Sequence, residues 1–272
     1  MASINPSQDY DIIHTLTFDA SEVGAGKTCP IQLRRGYYNI GATVYYRAGT
    51  SGGWTSLSVA SDGTTTFPVS STTMQIGHSW NKSGNEYMTP MFNNRSNVGG
   101  KMKTIAISQK EPLSGVIGDR FMYLYAYNCT SLTALDVPDT SGLTSVGNNF
   151  MVSYADSCSS LTALDVPDTS AITSVGDMFM NYYAYNCPSL TTLNLPKAGW
   201  FKTNNVDWSV PAERLGVLKG NTTTATDQAD WQALTTSGNT LYTNYIRSAG
   251  DVLLDGAELG TGNFLPFFLG GN

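Results

Sequence analysis

Residues 150–178 read FMVSYADSCSSLTALDVPDTSAITSVGDM, and the preceding residues 121–149 read FMYLYAYNCTSLTALDVPDTSGLTSVGNN. The two blocks are copies of one 29-residue unit, and a third copy opens at Phe179. Phe121, Phe150 and Phe179 occupy one position of the unit, and Cys129, Cys158 and Cys187 another. Leu132/Leu161/Leu190, Leu135/Leu164/Leu193, Val137/Val166/Leu195 and Pro138/Pro167/Pro196 follow in register. The run SLTALDVPDTS is identical at 131–141 and 160–170. A unit this short cannot bury its own apolar face, so a fixed period of this size predicts a solenoid in which neighbours cover one another. Such an architecture presents a surface, which favours binding or assembly over chemistry.

Outside the repeat the chain divides in two. Residues 1–108 contain short runs rich in Val, Ile, Thr and Tyr, at 11–18, 28–33, 37–48, 54–60, 64–69, 72–76 and 102–108, separated by Gly-rich turns. That spacing predicts an N-terminal antiparallel β-sandwich. The stretch 79–100, rich in Asn and Gly, reads as a polar surface loop. Residues 109–200 hold the repeats, beginning with a half-unit in which 117–121 mirrors 146–150. Residues 201–272 lose the period and read as a small C-terminal cap with one helix, 226–236, carrying Asp227 and Asp230 in its first turn and Gly238 just beyond. The expected fold class is therefore mainly β: a sandwich, a short leucine-rich-repeat-like solenoid and a cap.

The repeat residues Phe150-Met151, Tyr154-Ala155, Cys158, Ser160-Leu161-Thr162, Leu164-Asp165-Val166, Asp168-Thr169-Ser170 and Val175-Gly176-Asp177-Met178-Phe179 resemble the BspA-type leucine-rich repeats of bacterial surface proteins. The resemblance covers about a third of the chain. It implies a right-handed stack of short strands with an exposed face used for adhesion, in surface proteins and in phage-encoded ones. This unit is longer by a few residues around Tyr154, and Thr140 and Thr169 stand where standard leucine-rich repeats carry Asn. A Thr hydroxyl can also bond turn backbone.

Composition narrows the function. Of 272 residues only 13% are charged, with a net charge of -6, which argues against a nucleic-acid partner, whose phosphates need a clustered Lys/Arg surface. No window approaches the roughly 18 apolar residues of a membrane span. The N-terminal MASINPSQDYDIIHT has no secretory pattern. A virion component assembled in the cytoplasm accounts for that and for a Thr/Ser/Gly/Tyr surface; an adhesin on the bacterial cell surface is the alternative. Both are non-enzymatic, need no cofactor or metal, and imply glycan or protein partners among virion or cell-surface components.

Several residues are of types that carry chemistry. The alternation of L-x-x-L-x-V turns Leu135 inward and Asp136 outward, so Asp136 and Asp165 stack on the exposed face. A stacked carboxylate pair can hold calcium, while Asp139 and Asp168 after Pro read as turn caps. The in-register Tyr125, Tyr154 and Tyr183 read as core, and the variable position Tyr127, Asp156 and Tyr185 as binding surface. The cysteines at repeat spacing read as buried, reduced thiols. Gly24-Ala25-Gly26-Lys27-Thr28 imitates the end of a phosphate loop but runs into a strand. His14, His78 and Cys29 lack a third group to complete a nucleophile and base, and His14 reads as an ordinary strand residue.

Phe264, Leu265, Phe267, Phe268 and Leu269 put five large apolar side chains within six positions near the terminus, which must be covered. A neighbouring copy in a closed homo-oligomer is the expected cover. Deleting 263–272 is expected to turn an oligomer into a monomer in light scattering, with the far-ultraviolet spectrum of the repeats unchanged; a monomeric intact chain at micromolar concentration would show the tail to be internal packing.

Overall fold

The computed structural model describes residues 10–92 and 101–184 except 166, 169, 170 and 181, together with 187, 189 and the segments 192–194, 218–220 and 252–254. The expected helix at 226–236, Tyr185 and the apolar tail 264–269 lie outside the described residues. The chain is mainly β, with several sheets and, among the described residues, no closed barrel.

The N-terminal part contributes β1 (Ile12–Phe18), β2 (Thr28–Arg35), β3 (Tyr38–Asn39), β4 (Thr43–Ala48), β5 (Thr55–Ser58), β6 (Thr64–Pro68), β7 (Thr73–His78), β8 (Met88–Met91) and β9 (Met102–Gln109). In β1 the alternation IIHTLTF turns Ile12, His14, Leu16 and Phe18 inward, all buried, and leaves Thr15 and Thr17 half-buried. β1 lies between β7 and β9, antiparallel to both, and β4 and β5 extend the sheet beyond β7. A second sheet forms around β2, which pairs antiparallel with β3, β6 and β8. Two expectations are corrected. The run 37–48 is two strands broken at 40–42, and the supposed polar loop 79–100 contains β8. The β8 residues Met88, Thr89, Pro90 and Met91 are all buried against β2, and apolar burial outweighs the presence of a proline.

The repeats contribute β10 (Ser114–Ile117), β11 (Ala134–Leu135), β12 (Gly142–Val146), β13 (Ala163–Asp165), β14 (Ser174–Val175) and β15 (Thr192–Asn194), and two further strands, β16 (Leu218–Gly220) and β17 (Val252–Leu254), continue one of the sheets. Every pairing among them is parallel. Ser145 faces Ser174, Val146 faces Val175, Ala163 faces Thr192 and Leu164 faces Leu193, each pair one 29-residue period apart. The sequence period is thus the strand register. The first two copies each form two short strands rather than the one expected at 132–137 and 161–166, because the DTS-x-x-TSV segment pairs as well. Leu135 and Leu164 are buried while Asp136 and Asp165 are exposed, as the alternation requires.

Side chains stack in columns. The rings of Tyr125 and Tyr154 are 5.0 Å apart and those of Tyr154 and Tyr183 5.3 Å, each pair within 7° of parallel. Phe121, Phe150 and Phe179 form a second column at 5.6 and 5.5 Å. The Tyr154 and Tyr183 hydroxyls donate to the Asp136 and Asp165 carbonyls of the preceding coil at 2.6 and 2.7 Å. The Cys158 and Cys187 thiols donate to the Ala126 and Ala155 carbonyls, both at 3.1 Å. All four cysteines are buried and outside any disulfide, and burial pushes each thiol well above its ordinary pKa. Buried Thr140 donates its hydroxyl to the Asp168 carbonyl of the next coil at 2.6 Å, the backbone bond expected of the residue that replaces Asn.

Stacking also dictates an unusual backbone. Arg120, Met122 and Leu124 have φ of 57°, 49° and 57°, and the pattern recurs at Asn149, Met151 and Ser153 and at Met178, Met180 and Tyr182. Left-handed backbone at residues with a Cβ costs roughly 1–2 kcal/mol each. It persists because the peptide groups it turns outward bond the adjacent coil: Arg120 N–H to the Asn148 carbonyl at 2.7 Å, Leu124 to Val152 at 2.9 Å, Met151 to Phe121 at 2.8 Å and Met180 to Phe150 at 2.8 Å. At Gly147 and Gly176 the coils approach so closely that a Cβ would lie 2.6 and 2.5 Å from the carbonyl carbons of Gly118 and Gly147. The neighbouring Asp119 and Asn148 side chains accept the N–H groups of Asn148 and Asp177 at 2.6 and 2.7 Å.

The first coil lacks a predecessor, and the N-terminal part supplies one. β11 pairs parallel with β9, Cys129 donates to the Phe92 carbonyl at 2.9 Å, and one buried core runs from β1 through the repeats. The expected boundary at 108/109 therefore falls at the end of a strand whose neighbour is already a repeat strand. Leu164→Ala in the central copy is expected to lower unfolding free energy by about 2–5 kcal/mol, and Asp165→Ala next to it by under about 0.5 kcal/mol, read from urea melts; equal losses would reverse the inward and outward assignment.

Candidate functional site

Of the residues expected at a binding surface, Tyr185 lies outside the described residues and the other four divide by exposure. Asp136 and Asp165 are exposed, and Tyr127 is 37% exposed. Asp136 also accepts the Ile107 N–H at 3.1 Å, which fixes its carboxylate against the edge of β9. Asp139 accepts both the N–H and the hydroxyl of Ser141, at 3.0 and 2.7 Å, as a turn cap does. Asp156 is a correction: it is only 7% exposed, and its two carboxylate oxygens accept the Ser153 and Ser157 hydroxyls at 3.1 and 2.8 Å. A carboxylate taken from water needs such donors. Ser153 and Ser157 replace Leu124 and Asn128 of the first copy, so three departures in one copy signalled a local network.

The aromatic surface lies elsewhere. Tyr37 and Tyr38 are 45% and 71% exposed, and the Arg120 guanidinium sits over the Tyr37 ring at 4.2 Å and the Tyr123 ring at 5.0 Å. Lys27, in the stretch that imitates a phosphate loop, is paired with Glu22 at 3.3 Å, and Thr28 opens β2 rather than a helix.

His14 and His78 come together on adjacent strands β1 and β7, their Nε2 atoms 3.1 Å apart. His14 Nδ1 lies 2.6 Å from the Tyr125 hydroxyl, and His78 Nδ1 lies 2.9 Å from the Ser79 carbonyl. One proton arrangement satisfies every partner: Tyr125 O–H donates to His14 Nδ1, His14 Nε2–H to His78 Nε2, and His78 Nδ1–H to the carbonyl. Both rings are neutral in it. Burial, and then the neighbouring His78, hold His14 well below its ordinary pKa. Burial lowers His78 to about 4 against the opposing pull of the Ser79 carbonyl and Asp11. Burial likewise raises the Tyr125 hydroxyl, so it stays protonated. Sequence reading missed this group because 64 residues separate the histidines and 111 separate His14 from Tyr125. The chain of bonds ends at a peptide carbonyl and reaches no solvent-facing nucleophile, so it ties the N-terminal sheet to the first repeat.

Beside it, a cleft of about 300 Å³ opens where the start of β1, the segment after β7 and the turn between β9 and β10 meet. Trp80 and Tyr87 form an aromatic wall, their rings 5.6 Å apart and edge to face. Behind that wall the Phe column begins, with Phe121 6.0 Å from Trp80 and 6.2 Å from Tyr87. The Asp11 carboxylate accepts the Trp80 backbone N–H at 2.9 Å, and the Asp11 carbonyl accepts that of Lys110 at 2.9 Å. Among the described residues no cluster of three or more His, Cys, Asp or Glu is placed to hold a metal ion, and no helix is long and apolar enough to cross a membrane.

No family model, no curated protein and no solved structure matches the chain.

The histidine pair makes stability depend on pH with a definite sign. Its folded pKa values lie below the unfolded value near 6.5, so between them the unfolded chain binds more protons. Stability is full above about pH 6.5 and declines as pH falls toward 4, by roughly 3 kcal/mol for His78 alone. The urea midpoint is expected to drop over that window, and to drop less in His78→Gln; an unchanged slope would remove the pair as the cause.

Proposed function

We propose that the chain is a non-enzymatic structural or receptor-binding component of a bacteriophage particle, a fibre, spike or decoration protein. In this reading residues 1–108 form a β-sandwich, 109–200 a short leucine-rich-repeat-like solenoid built on it, and 201–272 a cap that closes the far end. Copies associate through the apolar tail into a homo-oligomer.

One observation carries the proposal. The groups of the repeat best suited to chemistry, the hydroxyls of its tyrosine column, its thiols and buried Thr140, are bonded to neighbouring coils or, in the first copy, to His14 and the Phe92 carbonyl, while Thr133, Asp136, Thr162 and Asp165 recur on the exposed face. A rigid, regularly spaced polar face serves recognition or assembly. The low charge content supports subunit contact, since little electrostatic desolvation opposes it. The likeness of the repeat to BspA-type units favours a second reading, an adhesin on the bacterial cell surface.

Mass spectrometry of purified particles against washed cell envelopes separates the two. The protein is expected in particles at a stoichiometry matching a symmetric oligomer; recovery in envelopes and never in particles would overturn the phage assignment in favour of the adhesin.

A further inference from the structure

We propose that the cleft between Trp80, Tyr87 and the β9–β10 turn is a binding site for a neutral saccharide ring. Its volume of about 300 Å³ lies at the small end of the ligand-pocket range, roughly 300–1,000 Å³. That is room for a single ring rather than a lipid chain or an extended peptide.

The chemistry of the walls selects the ligand. The lining residues include two lysines, Lys82 and Lys110, and two acids, Asp11 and Glu111, so their formal charges cancel and favour neither an anion nor a cation. Ammonium groups only donate hydrogen bonds, ionised carboxylates only accept them, and the Asn81 amide does both. A ring carrying several hydroxyls, each both donor and acceptor, can satisfy such a mixed lining; an apolar ligand would leave it unpaired. Half-buried Tyr87, braced edge to face by the buried Trp80, offers rigid, amphipathic surface to the C–H groups of a sugar.

The site is also pre-organised. Trp80 is braced by its backbone bond to Asp11, by the edge of His78 at 6.0 Å and by Phe121, and its carbonyl accepts the Met88 N–H at 2.7 Å. Walls fixed in this way need little ordering when a ligand arrives. The Lys82 ammonium lies over the Tyr87 ring, 5.5 Å from its centre. Nothing in the inference depends on where the protein resides, so it stands or falls apart from the particle assignment.

Saturation-transfer NMR on the full chain with glucose, galactose, mannose and N-acetylglucosamine tests it. At least one sugar is expected to show saturable transfer with a Kd on the order of 1 mM. Tyr87→Ala and Glu111→Ala are each expected to weaken it roughly tenfold, with unchanged circular dichroism. Glu111 is exposed, so its replacement leaves the fold intact. The proposal is overturned if no sugar shows transfer up to roughly 100 mM, if Glu111→Ala and Tyr87→Ala both bind like the parent, or if acetate or inorganic phosphate binds where no sugar does.

Discussion

Contact between successive coils, repeated at the same atoms, is the interaction on which the rest of the structure depends. Each tyrosine of the inner column lies flat on the one before it and donates its hydroxyl one coil back. Neither bond exists within a single unit. An isolated coil would hold a run of left-handed residues with their peptide groups turned outward and no acceptor within reach. Neighbours supply those acceptors, so the conformation of one copy is set by the presence of the next. The same dependence excludes a Cβ at Gly147 and Gly176, where the coils touch through backbone.

An array of this kind needs a first partner, and here it is made from unrelated sequence. Phe92 offers the carbonyl that Ala126 offers one coil later, and β9 takes the place of a preceding repeat strand. His14 receives the Tyr125 hydroxyl that would otherwise be left without an acceptor in a dry site. The imidazole fits because, kept neutral by burial, it presents a lone pair without introducing a charge. Trp80 and Tyr87 close the Phe column at the same end. The aromatic wall of the cleft is therefore held by the first coil.

What sequence could reveal followed from periodicity. Leu135 against Asp136, the buried tyrosine column and the reduced cysteines all follow from one spacing and the two-residue alternation of a strand. Contacts between segments without a shared pattern were not legible. His14 and His78 meet only because β1 and β7 pair, and nothing local to either marks the partner. Strand β8 was hidden by a polar, Gly-rich context and by Pro90. Asp156 misled in the opposite direction: variation from Tyr to Asp suggested exposure, whereas two serines had changed with it to hold a buried carboxylate. The cleft draws its walls from segments around residues 11, 80–87 and 110–114, a grouping no linear motif encodes.

Because each copy is specified by its neighbours and not by its distance from either end, copy number is a free variable of this design. Duplication or loss of one whole unit of 29 residues would restore every column and every coil-to-coil bond, changing the length of the stack by about one ring spacing, 5.0–5.3 Å. Gain or loss of a fragment would misalign the Tyr, Phe, Cys and Gly columns at once. The identity of 131–141 and 160–170 means that duplication or loss of a whole unit would leave this stretch unchanged. Length variation in a population of such chains is accordingly quantised, a ruler that lengthens in fixed steps while the aromatic base on which it stands keeps its shape.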